Sequence, residues 1–149
     1  MALKEKISED LKAAMKSRDK LRLETLRTLR AALMEKEIEL RGNSKQVTPE
    51  DEVATLMSAA KKRKESIEQF QAAGRMELVQ QETAELKIIH EYLPKQIGEE
   101  EIKQVIEEVV KTTGASSAAD FGKIMPQVMR QLKGKADGKL IQELVKKRL

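Results

Sequence analysis

The sequence predicts an all-α protein: a larger N-terminal helical bundle over residues 1–94, then a small C-terminal three-helix lobe over residues 95–149. Three observations lead there. Leu, Ala, Glu, Lys and Gln, all strong helix formers, dominate a chain in which charged residues make up 36% and aromatics 2%. Apolar residues recur at intervals of three and four, the spacing that places them on one side of a helix. Capping residues, glycines and prolines divide that pattern into segments of helical length.

Leu3, Ile7, Leu11 and Met15 recur every fourth residue and predict a first helix that frays around Ser17 and Arg18. Asp19 is placed to cap a second helix, with Leu26, Leu29 and Leu33 inward, running through Leu40 to Gly42 and pairing with the first as a hairpin. The polar stretch Gly42–Val47 has no apolar face and is either mobile or held by contacts invisible in the sequence. Thr48-Pro49-Glu50-Asp51 marks the start of a third helix: a capping threonine, a proline where its missing N–H is harmless, and acids at the positive end of the dipole. Its apolar set is Val53, Leu56, Met57, Ala60, Ile67 and Phe70, and Gly74 stops it.

Within that helix, Lys61-Lys62-Arg63-Lys64 spreads around most of the circumference at 100° per residue, so it reads as solvated surface rather than one flat face for phosphates. The fourth helix is expected from about Arg75 to Tyr92, burying Val79, Leu86, Ile89 and Leu93, with Pro94 ending it and marking the domain boundary. His90 falls at its end, where an imidazole either meets the terminal carbonyls as a cation or packs at the lobe junction. Glu99-Glu100-Glu101 opens a fifth helix, with Ile102, Val105, Ile106, Val109 and Val110 inward and Gly114 closing it. Ser117 and Asp120 have capping-box spacing. Phe121, Ile124, Met125, Val128, Met129 and Leu132 form the next apolar face, and Pro126 is expected near that helix's start. Gly134 closes it, Asp137 caps the last helix, and Leu140, Ile141, Leu144 and Val145 anchor that helix to the lobe.

Composition removes several function classes. Without cysteine there is neither a disulfide framework nor thiolate chemistry, and with one histidine a protein-built metal site is not expected. No serine–lysine amidase arrangement, Gly-rich phosphate loop or nucleotide-metal cluster is evident, so neither a catalytic residue nor a cofactor is assigned. The N-terminus enters a charged amphipathic pattern at once, and the expected setting is soluble and cytoplasmic, with no membrane partner.

The net charge of +4 is unevenly placed. Residues 1–94 carry 18 basic and 17 acidic side chains, residues 95–120 carry 3 and 6, and residues 121–149 carry 8 and 2. That final excess gathers at Arg130, Lys133, Lys135 and Lys139 around two glycines and a helix start, and continues through Lys146, Lys147 and Arg148. Such a constellation either receives phosphate groups of a nucleic acid or forms the solubilising rim of a small lobe.

Two blocks of sequence carry a family resemblance. Arg63-Lys64-Glu65-Ser66-Ile67-Glu68-Gln69-Phe70, with Ala73-Gly74-Arg75, Glu85-Leu86 and Tyr92-Leu93-Pro94, forms the first. Gly122-Lys123-Ile124-Met125, with Val128-Met129 and Lys133-Gly134-Lys135-Ala136-Asp137-Gly138-Lys139, forms the second. Together they resemble the YqeY family, which is similar to the C-terminal tail of GatB, the B subunit of the tRNA-dependent aspartyl/glutamyl amidotransferase. The resemblance implies two helical lobes and, because that tail holds tRNA, a noncatalytic accessory protein that binds tRNA or another structured RNA. It also brings the label of a carbon–nitrogen ligase with glutamine as amido donor, which then describes the tail's assembly rather than this chain. On this reading Arg130, Lys133, Lys135, Lys139, Lys146 and Lys147 contact RNA. The alternatives are a protein-interaction module and a subunit of an amidotransferase-type assembly whose partner carries the active site.

Overall fold

The computed structural model describes residues 2–149. It is all-α, with no strand among the described residues. Four helices form the first compact unit, which ends at Leu93: α1 (Leu3–Ser17), α2 (Lys20–Gly42), α3 (Pro49–Ala72) and α4 (Met76–His90). The second unit, Pro94–Leu149, contains α5 (Glu99–Thr113), a 3₁₀ turn at Ala118–Asp120, α6 (Phe121–Leu132) and α7 (Gly138–Arg148).

In the first unit α1 packs along α2, α2 on α3, and α3 along α4. Its core is Ile7, Leu11 and Ala14 from α1, Leu26, Leu29 and Leu33 from α2, Leu56 and Ala60 from α3, and Ile89, Tyr92 and Leu93 at the end. Met15 stands outside this core, 52% exposed. Four-residue steps advance 400°, so the stripe drifts by about 40° each time, and the three-residue step to Ala14 corrects the drift. Nor does α1 fray. Arg18 adopts a left-handed conformation (φ 59°), and the Asp19 N–H closes the turn on the Ala14 carbonyl at 3.1 Å. Asp19 then caps α2 by accepting from the Arg22 N–H. The start of α1 has no cap of its own, and a buried carboxylate from α3, Glu52, accepts from the Lys4 N–H at 3.1 Å.

Thr48 and Asp51 form a capping box at the start of α3, and Gly74 follows that helix at φ 71°. The segment after α2 is ordered through its first half by bonds from Ser44 N–H to Arg41 O and Lys45 N–H to Leu40 O. The run at 61–64 is not uniformly solvated. Arg63 is only 23% exposed and is gripped by α4, its Nη1 2.7 Å from Glu85 and 3.1 Å from Glu82. At the end of α4 the chain leaves α-helical geometry after His90, earlier than Pro94 requires, in a tighter turn whose N–H groups at 91, 92 and 93 bond three residues back. The reason is visible at Tyr92, whose buried hydroxyl donates to Asp10 at 2.5 Å and thereby pulls the chain end onto α1.

In the second unit α5, α6 and α7 enclose a core of Ile102, Ile106, Val109 and Val110, then Ile124, Val128 and Leu132, then Ala136, Ile141, Leu144 and Val145. Ser117 and Asp120 form a capping box at the 3₁₀ turn, which runs directly into α6. That continuation corrects the expectation for Pro126: it lies inside α6, six positions into the helix. A proline there leaves the Gly122 carbonyl without its usual N–H donor. Both residues lie on the exposed side of α6, where water can reach that carbonyl, so the helix continues.

Candidate nucleic-acid interface

The α6–α7 turn is built by backbone chemistry before any lysine is considered. Leu132 is buried and ends α6; Gly134 turns left-handed at φ 79°, and Ala136 dips back into the core. The Lys133 N–H donates to Met129 O and the Lys135 N–H to Leu132 O, each at 2.9 Å. Residues preceding α5 tie the turn from outside: Ile97 N–H donates to Lys135 O at 3.0 Å and Gln96 Nε2 to Gly134 O at 2.8 Å. Because the backbone of 133–135 faces these partners, its side chains at 133 and 135 are left exposed.

Lys133, Lys135 and Lys139 therefore gather at one end of the unit, none in an ion pair among the described residues. Arg130 is exposed one turn earlier on α6. Lys146 lies two turns beyond Lys139 and shares its side of α7, about 10 Å further along the axis. Its ammonium sits 5.8 Å from the centroid of the Phe121 ring, a cation–π contact, yet the residue remains exposed. Lys147 is exposed beside a small cleft of about 270 Å³ between α5 and α7. Arg148 is different. It is paired with Glu107 of α5, which raises the guanidinium's pKa and lowers the carboxylate's, so it is less available to an outside anion than its neighbours.

The start of α7 is likewise partly occupied. Asp137 accepts from the Lys139 N–H at 3.3 Å, placing a carboxylate at the end of the helix where an external anion would be drawn. The lysine side chains, rather than bare amides, are what this turn offers to a phosphate.

His90 is half-buried, and its Nε2 is enclosed without a hydrogen-bond partner. Desolvation, helped by Lys64, lowers its pKa, which favours the neutral imidazole over the helix-capping cation. Among the described residues no three His, Asp or Glu side chains converge to hold a metal ion. No described helix is long and apolar enough to cross a membrane. One feature escapes a charge count averaged over residues 1–94: Lys12, Lys16, Arg18 and Lys20 cluster where α1 turns into α2, with Asp19 the lone acid between residues 12 and 20. Over residues 12–20 alone the balance is four basic side chains to one acidic.

The model of the YqeY-like proteins matches residues 4–149. The chain is 32% identical to "Altered inheritance of mitochondria protein 41, mitochondrial" of Pyrenophora tritici-repentis, across 94% of this chain and 79% of that protein. It is 36% identical to the protein of the same name from Lachancea thermotolerans, across 58% of this chain and 46% of that protein. With the family's pattern running through both compact units, the chain belongs to the YqeY family.

Proposed function

We propose that this protein is a noncatalytic RNA-binding accessory factor that grips tRNA, or another structured RNA, by its phosphate backbone. The observation that carries the reading is the α6–α7 turn: Lys133, Lys135 and Lys139 exposed, in no ion pair among the described residues, and held on a hydrogen-bonded backbone. Arg130, Lys146 and Lys147 enlarge the surface. The hydrogen-bonded backbone spares the cost of ordering the turn itself on binding, which favours phosphate contacts over a merely solubilising role. Base stacking has small scope, since Phe121 and Phe70 are half-buried and Tyr92 is buried. Recognition by shape and charge is what remains. The likeness of the family to the GatB tail supports the same reading and suggests work alongside translation in an aqueous compartment. The curated relatives' names carry "mitochondrial", so cytoplasm is only one candidate for that compartment.

The test is binding of bulk tRNA across a salt series. Affinity is expected to fall steeply with salt, and a Lys133/Lys135/Lys139→Glu variant of unchanged helicity is expected to lose most of it. Absence of tRNA binding at low salt would overturn the reading.

A second reading has its own observation. A groove of about 490 Å³ runs between α2 and α3, lined by small side chains including Ala32, Ala54, Ser58 and Ala59 and by charged ones including Glu35 and Lys62. A helix from a partner, such as the catalytic subunit of an amidotransferase-type assembly, could approach closely there. Docking of this kind would resist moderate salt, unlike phosphate binding.

A further inference from the structure

The turn between α1 and α2 carries two local misfits at one place. Arg18 holds a left-handed backbone conformation, φ 59°, at the closing position of α1. Glycine or asparagine takes that conformation far more readily than an arginine does. Immediately after it, α2 opens with Lys20 and has no acid in its first turn. Where α3 and α5 place three acids against the positive end of their dipoles, α2 has the carboxylate of its Asp19 cap, as α7 has that of Asp137. Arg22, also in that first turn, is accounted for by Glu91 at 2.8 Å. Lys20 has no ion-pair partner among the described residues.

Lys12 and Lys16 stand one turn apart on the exposed side of α1, and Met15 lies bare beside them. None of Lys12, Lys16, Arg18 and Lys20 is in an ion pair among the described residues. Lys16 and Arg18 are both cations at the negative end of α1, which the dipole favours, whereas Lys20 stands at the positive end of α2. The turn itself is fixed by the Asp19 N–H on Ala14 O at 3.1 Å and the Arg22 N–H on Asp19 Oδ1 at 3.1 Å. Four exposed cations stand along nine residues of a hydrogen-bonded turn, one of them in a strained backbone conformation and one at the unfavourable end of a helix dipole, and together they suit contact with a polyanion.

We infer that the α1–α2 turn, through Lys12, Lys16, Arg18 and Lys20, is a second phosphate-contacting surface for structured RNA. This rests on the RNA-binding reading of the α6–α7 turn and extends it to the first unit. RNA fits the surface better than a lipid bilayer does. An interfacial membrane segment needs a broad apolar face of Trp, Phe or Leu, and here Met15 is the one large apolar side chain exposed at the turn. Four cations on a fixed backbone suit a polyanion whose charges are regularly spaced.

The experiment compares four full-length proteins for bulk tRNA binding over a salt series: wild type, Lys12→Gln/Lys16→Gln/Arg18→Gly/Lys20→Gln, Lys133/Lys135/Lys139→Glu, and a charge-matched control, Lys36→Gln/Lys45→Gln/Lys87→Gln/Lys111→Gln. The α1–α2 variant is expected to bind about tenfold or more weakly at about 0.1 M salt, with a salt slope shallower by about two to three, while the control stays within about twofold of wild type. Arg18→Gly alone is expected to melt higher than wild type and to bind about threefold more weakly, which decides the matter should the fourfold variant lose helicity. If the α1–α2 variant binds like wild type while the α6–α7 variant does not, this inference is wrong and the first reading stands. If wild type binds no tRNA, both fall. Binding to phosphatidylserine vesicles but not tRNA, lost in the α1–α2 variant, would reassign the surface to membranes and overturn the inference.

Discussion

Gly134 shows how one backbone angle positions the candidate surface. At φ 79° it takes a conformation that costs a non-glycine residue about 1–2 kcal/mol, and it lies buried between Lys133 and Lys135. Gly134→Ala should therefore lower stability by about 1–2 kcal/mol in urea unfolding. His90 makes a different prediction. Its folded pKa lies below 6.5, so the unfolded chain takes up the proton first as pH falls, and the neutral imidazole's contribution is present above 6.5 and lost below it. Urea midpoints measured at about pH 7.5 and about pH 5.5 should differ more for wild type than for His90→Leu. Sequence alone left His90 open between cation and packing, because the burial that lowers its pKa and the charge that adds to it, Lys64, come from the packing of another helix. Arg63 was illegible for the same reason: position on a helical wheel says nothing of Glu82 and Glu85 waiting on the neighbouring helix.

At the scale of elements, helix ends fixed by local chemistry were readable and those fixed by distant contacts were not. Thr48 with Asp51, Ser117 with Asp120, and Gly74 and Gly114 each do locally what their residue type permits, and local chemistry is what a sequence displays. The close of α4 at His90 depends instead on Tyr92 reaching Asp10, eighty-two residues away along the chain. The Pro126 expectation failed because the 3₁₀ turn moved the start of the helical segment upstream, leaving the proline inside α6. Pro126→Ala should restore the bond to the Gly122 carbonyl and raise stability by about 1–3 kcal/mol, read as a higher melting temperature. An unchanged or lower melting temperature would mean that the water-exposed carbonyl costs little.

Each compact unit of the molecule has its own buried core, and the second is assembled without any residue before Pro94. A fragment of residues 94–149 should consequently remain helical and unfold cooperatively, although with the low stability of so short a chain. A non-cooperative melt would show that its core is insufficient alone. The candidate surfaces were unequally legible at this scale. The lysines of the α6–α7 turn are close in sequence and stood out in a segment count, whereas the cluster at the α1–α2 turn was diluted by the acids of the rest of the first unit. The tether on the lysine turn has one further consequence, in the tempo of solvent exchange. Ile97 lies outside any helix, but its N–H is committed to Lys135 O. Its deuterium uptake should therefore report the opening of the turn itself, slow in the free protein and slower still when a polyanion holds Lys133 and Lys135 in place.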